Sequence, residues 1–388
     1  KIKEVKNPSI FAVGDDWQSI YRFTGSDLDM FINFENYFGK TYKTKIENTY
    51  RNAQELLDVV GDFITANPHQ IKKYLKSNKI ILDSKKEYEN LEKSKNLEKN
   101  DSNSHIHSSK LIEDEKNYEE YFKYPVLVFK YYKNKIETLI HSLNFLNRKG
   151  SKDIVLLGRF NFDIRFIRES SFFKVVDQKK YIEITYKALP NLSIKFYTIH
   201  KAKGLEADDI VLINNTSSIY GFPSQRSDDN LLRYVLTDKD NYDYAEERRL
   251  FYVALTRTKN HCILLTDFVN PSSFSDEISL MKNVFVEDLH EVDIISCPKC
   301  KTGNIIEREG PRGVFLSCTN YPQCDFSSDF ESKKLIEKNV KCPRCGSQLV
   351  VRTRNRANSY GSAGSKFLGC SSYPGCTHIE NIKDEYLN

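Results

Sequence analysis

Eight of the nine cysteines lie between Cys297 and Cys376, spaced C-x2-C-x17-C-x5-C and then C-x2-C-x24-C-x5-C. A tetrahedral thiolate site needs two close pairs brought together by a loop, and this spacing supplies that arrangement twice. The halves repeat: VFLSCTNYPQC (314–324) matches KFLGCSSYPGC (366–376), aligning Phe315 with Phe367 and Tyr321 with Tyr373. Redox C-x2-C pairs would not occur in matched duplicate with second pairs. The expected ligands are therefore Cys297, Cys300, Cys318 and Cys324 for one Zn2+, and Cys342, Cys345, Cys370 and Cys376 for another. Each set makes one small zinc ribbon. The ninth, Cys262, sits in the apolar run HCILL and reads as a small buried hydrophobe.

Charge points to a partner for this tail. From Cys297 to Asn388 there are 14 Lys and Arg against 9 Asp and Glu, which accounts for the chain's whole net charge of +5. Zinc changes that balance, because a tetrathiolate centre carries about −2 and two centres leave the tail near +1. Attraction to nucleic acid must then come from local clusters such as Arg344, Arg352, Arg354 and Arg356. Phe315, Tyr321, Phe367 and Tyr373 are either stacking partners for bases or the cores of the ribbons. No apolar run reaches membrane-spanning length and no signal-peptide pattern opens the chain, so a cytoplasmic protein without a membrane partner is expected. There is no initiator Met, and the chain is expected to be the downstream part of something larger.

Upstream of the tail, short apolar stretches alternate with helical patterns, which predicts a parallel α/β sheet. SIFAVGDD (9–16) reads as a buried strand ending in Gly14 and two acids. Ser26 opens a helical pattern with Asp29 placed as in a capping box. NTYRNAQELLDVVGDFI (48–64) sets Tyr50 and Arg51 just before an amphipathic helix bearing Leu56, Val59, Val60 and Phe63. YPVLVFKYY (124–132), DIVLLGRFN (153–161) and HCILLTDF (261–268) read as strands, with a helix around 135–147. IKFYTIHKAKGLEADDIVLIN (194–214) gives strand, polar turn with Gly204, strand. EERRLFYVALTRTK (246–259) predicts a helix that packs Leu250, Val253 and Ala254 inward and carries Arg257 at its far end. Between 83 and 120 the composition turns to Lys, Glu, Asn and Ser, which reads as a solvated insertion. Gly39-Lys40-Thr41 imitates the end of a phosphate-binding loop, but Phe34 stands where that motif needs its first Gly.

Taken together, these stretches resemble the UvrD/Rep-like helicases of superfamily 1, over roughly residues 8–268. VGDDWQSIYRFTG (13–25) is similar to the family's third motif and NTYRNAQEL (48–56) to its fourth. FYTIHKAKGLEADDIVL (196–212) is similar to the fifth and EERRLFYVALTRTK to the sixth. The resemblance implies that residues 1–45 end a first RecA-like domain and that 46–290 form a second. Zinc ribbons at 291–335 and 336–388 follow, similar to the C-terminal repeats of bacterial type IA topoisomerases. It also implies ATP with Mg2+ as cofactor and single-stranded or partly duplex DNA as partner. Gln18, Arg51 and Arg257 then act on the γ-phosphate, and Tyr50, Gly204 and Glu206 meet the nucleotide. Tyr21, Phe23, Thr198 and His200 face DNA, and Arg352 and Arg354 do so in the ribbons.

The chain departs from the family pattern in three places. No GxxxxGK[ST] and no acidic metal-binding strand lie upstream, so the ATP site is expected to be completed by an N-terminal part of the same protein or by a partner chain. This chain alone is then inactive as an ATPase. Thr24 replaces the usual Arg, and only about forty residues separate Arg159 from Thr198, as in the helicase IV type without a large accessory insertion. The implied activity is that of an ATP-dependent 3′-to-5′ DNA helicase or translocase. The rival expectation is a non-catalytic nucleic-acid-binding subunit with a degenerate helicase domain.

Overall fold

The computed structural model describes residues 9–21, 28–79, 81, 118–226, 242–289, 295–311, 313–354, 356–357 and 361–383. The chain divides into two compact units, Lys1–His290 and Glu291–Asn388. Among the described residues, the first is built on eight strands: β1 (Val126–Tyr131), β2 (Asp153–Gly158), β3 (Phe173–Asp177), β4 (Ile182–Tyr186), β5 (Ser193–Thr198), β6 (Asp209–Asn215), β7 (Cys262–Asp267) and β8 (Val284–Asp288). Their order is β3-β4-β5-β2-β6-β7-β1-β8. All neighbours run parallel except β3–β4 and β4–β5.

The central strands read as unbroken apolar runs because both faces of the sheet are covered. Alternate side chains enter opposite cores. Val126, Val155, Ile210 and Leu264 join Leu56, Phe63 and Phe251 on one face. Leu127, Ile154, Val211 and Ile263 join Leu139, Leu143 and Phe145 on the other. The Gln54–Thr65 and Ala245–Leu255 helices cover the first face, and the Lys135–Arg148 helix covers the second. At the amino ends of β6 and β7, Lys149 Nζ donates to Asp209 at 2.6 and 2.9 Å, and the His261 backbone N–H donates to the same carboxylate at 2.8 Å. All three are buried. Burial pushes the Asp209 carboxyl up, but Lys149 and His261 outweigh it and hold the group below the usual carboxylate range.

Several expectations are corrected. Residues 9–14 form no strand; Phe11 and Val13 are exposed, because no strand among the described residues offers the segment a ladder partner. The helical pattern expected from Ser26 begins at Asp29 and breaks at Asn33 into two short pieces, Asp29–Ile32 and Phe34–Phe38. The Asp29 carboxylate accepts from Asn33 at 2.7 Å and from Tyr37 at 2.5 Å. Residues 40–46 are neither helix nor strand. The Ala245–Leu255 helix is buried on nearly every side instead of along one stripe. Trp17 meets Tyr252 edge-on at 5.4 Å, and Phe63 meets Phe251 at 5.2 Å, so the helix is covered on its outer side too. Its arginines tolerate burial because Arg248 bonds Glu277 and the Phe63 carbonyl, while Arg249 bonds the Ser19 carbonyl. The expected insertion lies outside the described residues from 82 to 117.

The second unit holds two antiparallel sheets. The first, β11-β10-β9, combines β9 (Ile305–Gly310), β10 (Gly313–Cys318) and β11 (Ser327–Asp329); the second, β12-β13-β14, combines β12 (Leu349–Thr353), β13 (Lys366–Cys370) and β14 (Ile379–Glu380). The Ser332–Glu337 helix serves both. Ile336 packs with Leu316 and Phe326 of the first ribbon, and Leu335 with Leu349 and Leu368 of the second. The expected boundary between residues 335 and 336 thus falls inside this helix. Among the described residues, no helix is long and apolar enough to cross a membrane.

Candidate functional site

Three segments far apart in sequence are stitched together beside the Ala245–Leu255 helix. Asn52 Nδ2 donates to the Thr258 carbonyl at 2.6 Å, and the Ala207 N–H donates to the Arg257 carbonyl at 3.1 Å. The stitching brings Arg51 onto Glu206: Nε donates to Oε1 at 2.7 Å, and Nη2 bonds the same oxygen. This pairing holds the Glu206 carboxyl below its ordinary range. Gly204, in the turn before it, has φ +86°, the left-handed region that favours glycine.

Arg257 stands two residues beyond the end of its helix and folds back over it. Its Nε donates to the Val253 carbonyl at 2.8 Å, Nη2 to Thr256 Oγ1 at 3.1 Å and Nη1 to the Leu205 carbonyl at 3.4 Å. The residue is 2% exposed, so the guanidinium that the sequence places at the far end of the helix is recessed there and held by backbone carbonyls. Burial, then the neighbouring Arg51 charge, lower its pKa to about 10, which leaves it protonated at neutral pH. Tyr50 alongside is 87% exposed.

A second group lies where residues 15–21 meet the turn after β5. Lys203 Nζ donates to the Gln18 carbonyl at 2.9 Å and sits 4.9 Å over the Tyr21 ring. Tyr21 Oη donates to the His200 carbonyl at 3.1 Å, and Gln18 Nε2 donates to Asp15 at 2.5 Å. A cavity of about 190 Å³ opens between Gln18, Tyr21, Phe31 and Lys203. Thr198 is buried at the end of β5. Desolvation, then the Arg159 charge, lower the His200 pKa to about 4, so its ring is neutral at physiological pH.

In the second unit the eight tail cysteines gather into two groups of four, each with all sulfurs within 4.8 Å of one another. Sulfurs at the corners of a zinc tetrahedron are about 3.8 Å apart, given Zn–S bonds of about 2.3 Å. Observed Sγ···Sγ distances are 3.8 Å for Cys297–Cys324, 3.6 Å for Cys300–Cys318, 3.8 Å for Cys342–Cys376 and 3.3 Å for Cys345–Cys370. Backbone N–H groups of Gly303, Asn320 and Ser372 donate to ligand sulfurs at 3.3–3.4 Å, as the second shell of a thiolate site does. Such bonds lower Cys300 to about 6, led by the Gly303 N–H, and the Ser347 hydroxyl leads the fall of Cys345 to about 6. The donors fit two zinc ions.

Comparison with known proteins agrees with both halves. Residues 169–266 match the UvrD-like helicase C-terminal domain, and residues 294–333 and 339–385 match the topoisomerase DNA binding C4 zinc finger. The chain carries a UvrD-like helicase C-terminal domain followed by topoisomerase-type zinc fingers. It is 28% identical to DNA helicase IV of Escherichia coli over 284 residues, covering 73% of this chain and 33% of that protein. It is 25% identical to a probable DNA helicase of Mycoplasma pneumoniae, covering 71% of this chain and 41% of that protein. A stretch of 58 residues, 15% of the chain, is 40% identical to DNA topoisomerase 1 of Campylobacter jejuni, of which it covers 8%. The matched regions thus span less than half of each relative.

Within the sheet unit, Arg51, Glu206, Gly204 and Arg257 converge with exposed Tyr50, while Gln18, Tyr21 and His200 form a second group bridged by Lys203. Phe23 and Thr24 lie outside the described residues. In the zinc fingers Arg354 stacks 4.4 Å over Phe367, and Arg352 pairs across the strands with Phe367. Sequence reading missed three residues. Lys79 bonds the carbonyls of Lys259 and Arg51, and Lys203 bridges the second group; neither belongs to a pattern that a lysine alone reveals. Arg308 occupies the register opposite Phe315 that Arg352 occupies opposite Phe367. The internal repeat that aligned the two phenylalanines was a usable signal for Arg308.

Proposed function

We propose that this chain is the C-terminal portion of an ATP-dependent 3′-to-5′ DNA helicase or translocase, gripping single-stranded DNA with its zinc fingers and coupling ATP hydrolysis to domain closure. The observation that carries the reading is the convergence of Arg51, Glu206 and Arg257 beside the exposed ring of Tyr50. A phosphoryl transfer site needs fixed positive charge around the γ-phosphate. Two arginines, one held by a carboxylate and one by backbone carbonyls, supply that charge in prepared positions. Tyr50 offers a ring face to the adenine, and Gln18 links the nucleotide to the DNA side through Lys203 and Tyr21. ATP with Mg2+ supplies the reactive phosphate when bound, on a site completed by an N-terminal helicase part of the same protein or of a partner.

In this reading Glu206 holds Arg51 while the γ-phosphate is absent, and closure transfers the guanidinium from carboxylate to phosphate. Thr198 and His200 lie toward DNA, and a neutral His200 donates or accepts hydrogen bonds without adding charge. Arg352 and Arg354 meet DNA phosphates in the zinc fingers.

The test is Arg257→Ala in the motor assembled with its phosphate-loop part. Steady-state ATPase is expected to fall about 10³-fold or more, the scale of a lost arginine finger, with single-strand affinity kept within about twofold. Unchanged ATPase would remove Arg257 from the nucleotide site and leave the non-catalytic DNA-binding module as the better reading.

A further inference from the structure

The carboxyl end of β2 carries an aromatic group that the contacts above do not use. The rings of Phe160 and Phe162 stack at 5.1 Å and 7°. Tyr220, from the segment after β6, stands near-perpendicular to both, at 5.8 and 5.5 Å. Those three separations are nearly equal, so Tyr220 sits beside the stacked pair and not over the outer face of Phe162. The Arg159 guanidinium lies 4.8 Å over the Phe160 ring. Phe162 is 45% exposed and Tyr220 49%, which leaves aromatic surface open to solvent where burial would be favourable.

The group is held rigidly. Asp163 accepts from the Phe160 N–H at 2.9 Å and from Asn214 Nδ2 at 2.9 Å, and the same Asn214 amide donates to the Tyr220 carbonyl at 3.2 Å. One buried carboxylate and one amide thus tie together the two segments that carry the rings. Arg159 is itself clamped by Glu247 at 2.7 Å. A platform assembled before binding loses little conformational entropy when a ligand stacks on it.

Position and charge indicate the occupant. Gly158, just before Arg159, is the cross-strand partner of Thr198, so the platform adjoins the end of β5 and the His200 turn. Carboxyl ends of strands in such sheets are where ligands bind. Exposed Arg226 lies 5.7 Å over the Tyr220 ring, adding a cation beside the open aromatic face. Ring faces bordered by arginines match a base with its flanking phosphate.

We propose that Phe160, Phe162 and Tyr220 form a base-stacking platform for single-stranded DNA, with a nucleobase on the outer face of Phe162 and Arg226 at the neighbouring phosphate. This rests on the DNA-facing reading of Thr198 and His200 and extends that path by one stacking site. Stacking reads no base edge, so the platform accepts any base.

The full chain is mixed with a thymine-rich oligonucleotide carrying 5-iodouracil, irradiated and mapped by peptide mass spectrometry, with affinity measured by fluorescence anisotropy. Crosslinks are expected in the peptide holding Phe162 or in the one holding Tyr220. Phe162→Leu keeps apolar volume but removes the ring face; it is expected to abolish the Phe162 crosslink and weaken binding about fivefold or more. Phe162→Ala gives the same result, and both fold because the ring is half exposed. Unchanged affinity in Phe162→Leu, with crosslinks confined elsewhere, overturns the platform and leaves the wider DNA reading standing. Failure of the wild-type chain to bind the strand at all overturns both.

Discussion

The two units of this chain are stabilised by different means. Among the described residues, the sheet unit buries clusters of 27 and 25 residues on its two faces. The zinc fingers bury only seven each, and three of each seven are the metal-ligating cysteines. An apolar core of that size does not support a fold without a staple. The contrast separates a sheet unit that stands on hydrophobic burial from two small fingers whose cores need a metal staple.

Zinc removal should therefore break the comparison most sharply. Structural zinc contributes about 10–16 kcal/mol of apparent binding energy to small metal-stapled domains. With a strong chelator, the region from Cys297 to Cys376 is expected to lose protease resistance while the sheet from Val126 to Asp288 keeps it. Single-strand retention should weaken in parallel, as it should for Cys318→Ser. Protease-resistant fingers after complete metal removal would show that the small cores suffice.

The converse perturbation belongs to the sheet unit. Lys149→Ala leaves the Asp209 carboxylate buried without its ammonium, and breaking such a pair costs about 3–5 kcal/mol. Urea unfolding of the sheet should shift by that amount while bound zinc stays at two per chain. A shift under 1 kcal/mol would mean that His261 and backbone donors alone hold Asp209.

These regions also differ in how readily their sequence is read. The cysteine spacing is a local code, because four ligands at short separations admit one geometry, and both sites assemble as expected. Apolar runs such as Ile154–Leu157 likewise revealed the central strands, and the motifs singled out Arg51, Glu206 and Arg257, which the fold brings together. Other features depend on long-range packing that no local pattern carries. The Ala245–Leu255 helix looks one-sided in sequence, since its polar Arg248 and Arg249 mark an outer face; burial of both depends on Glu277 and on carbonyls of Phe63 and Ser19. The β3–β4 hairpin and edge strand β8 escaped notice because their exposed or half-exposed positions break the apolar run. The recessed pose of Arg257 depends on carbonyls from Leu205 and Val253, which side-chain identity does not encode.

A smaller effect tests whether the two fingers are separate at all. Leu335 and Ile336 are adjacent on one helix yet enter different cores. Truncating either buried side chain to Ala should cost about 2–5 kcal/mol. Because the helix is shared, Leu335→Ala is expected to accelerate zinc loss from both sites, as followed by a colorimetric chelator. Loss from the second site alone would show independent fingers joined by a passive helix.

Acid gives the mildest contrast, and its sign follows from the histidines. Burial lowers His261 to about 4, and desolvation lowers His141 to about 4. In the unfolded chain each takes up a proton near pH 6.5. Between about pH 6.5 and 4 the unfolded state therefore binds more protons, so stability of the sheet unit falls as pH falls through that window. The loss by pH 5 is about 2 kcal/mol for each histidine, at 1.36 kcal/mol per pH unit. His261→Leu, which keeps the backbone donor to Asp209, should flatten that slope by one histidine's share. The zinc fingers also weaken in acid, because their thiolates are protonated and the metal leaves. Urea titrations at pH 7 and pH 5 with a zinc indicator present distinguish the two losses. If the pH dependence of sheet unfolding is the same in His261→Leu as in the parent chain, the buried imidazole is not its source.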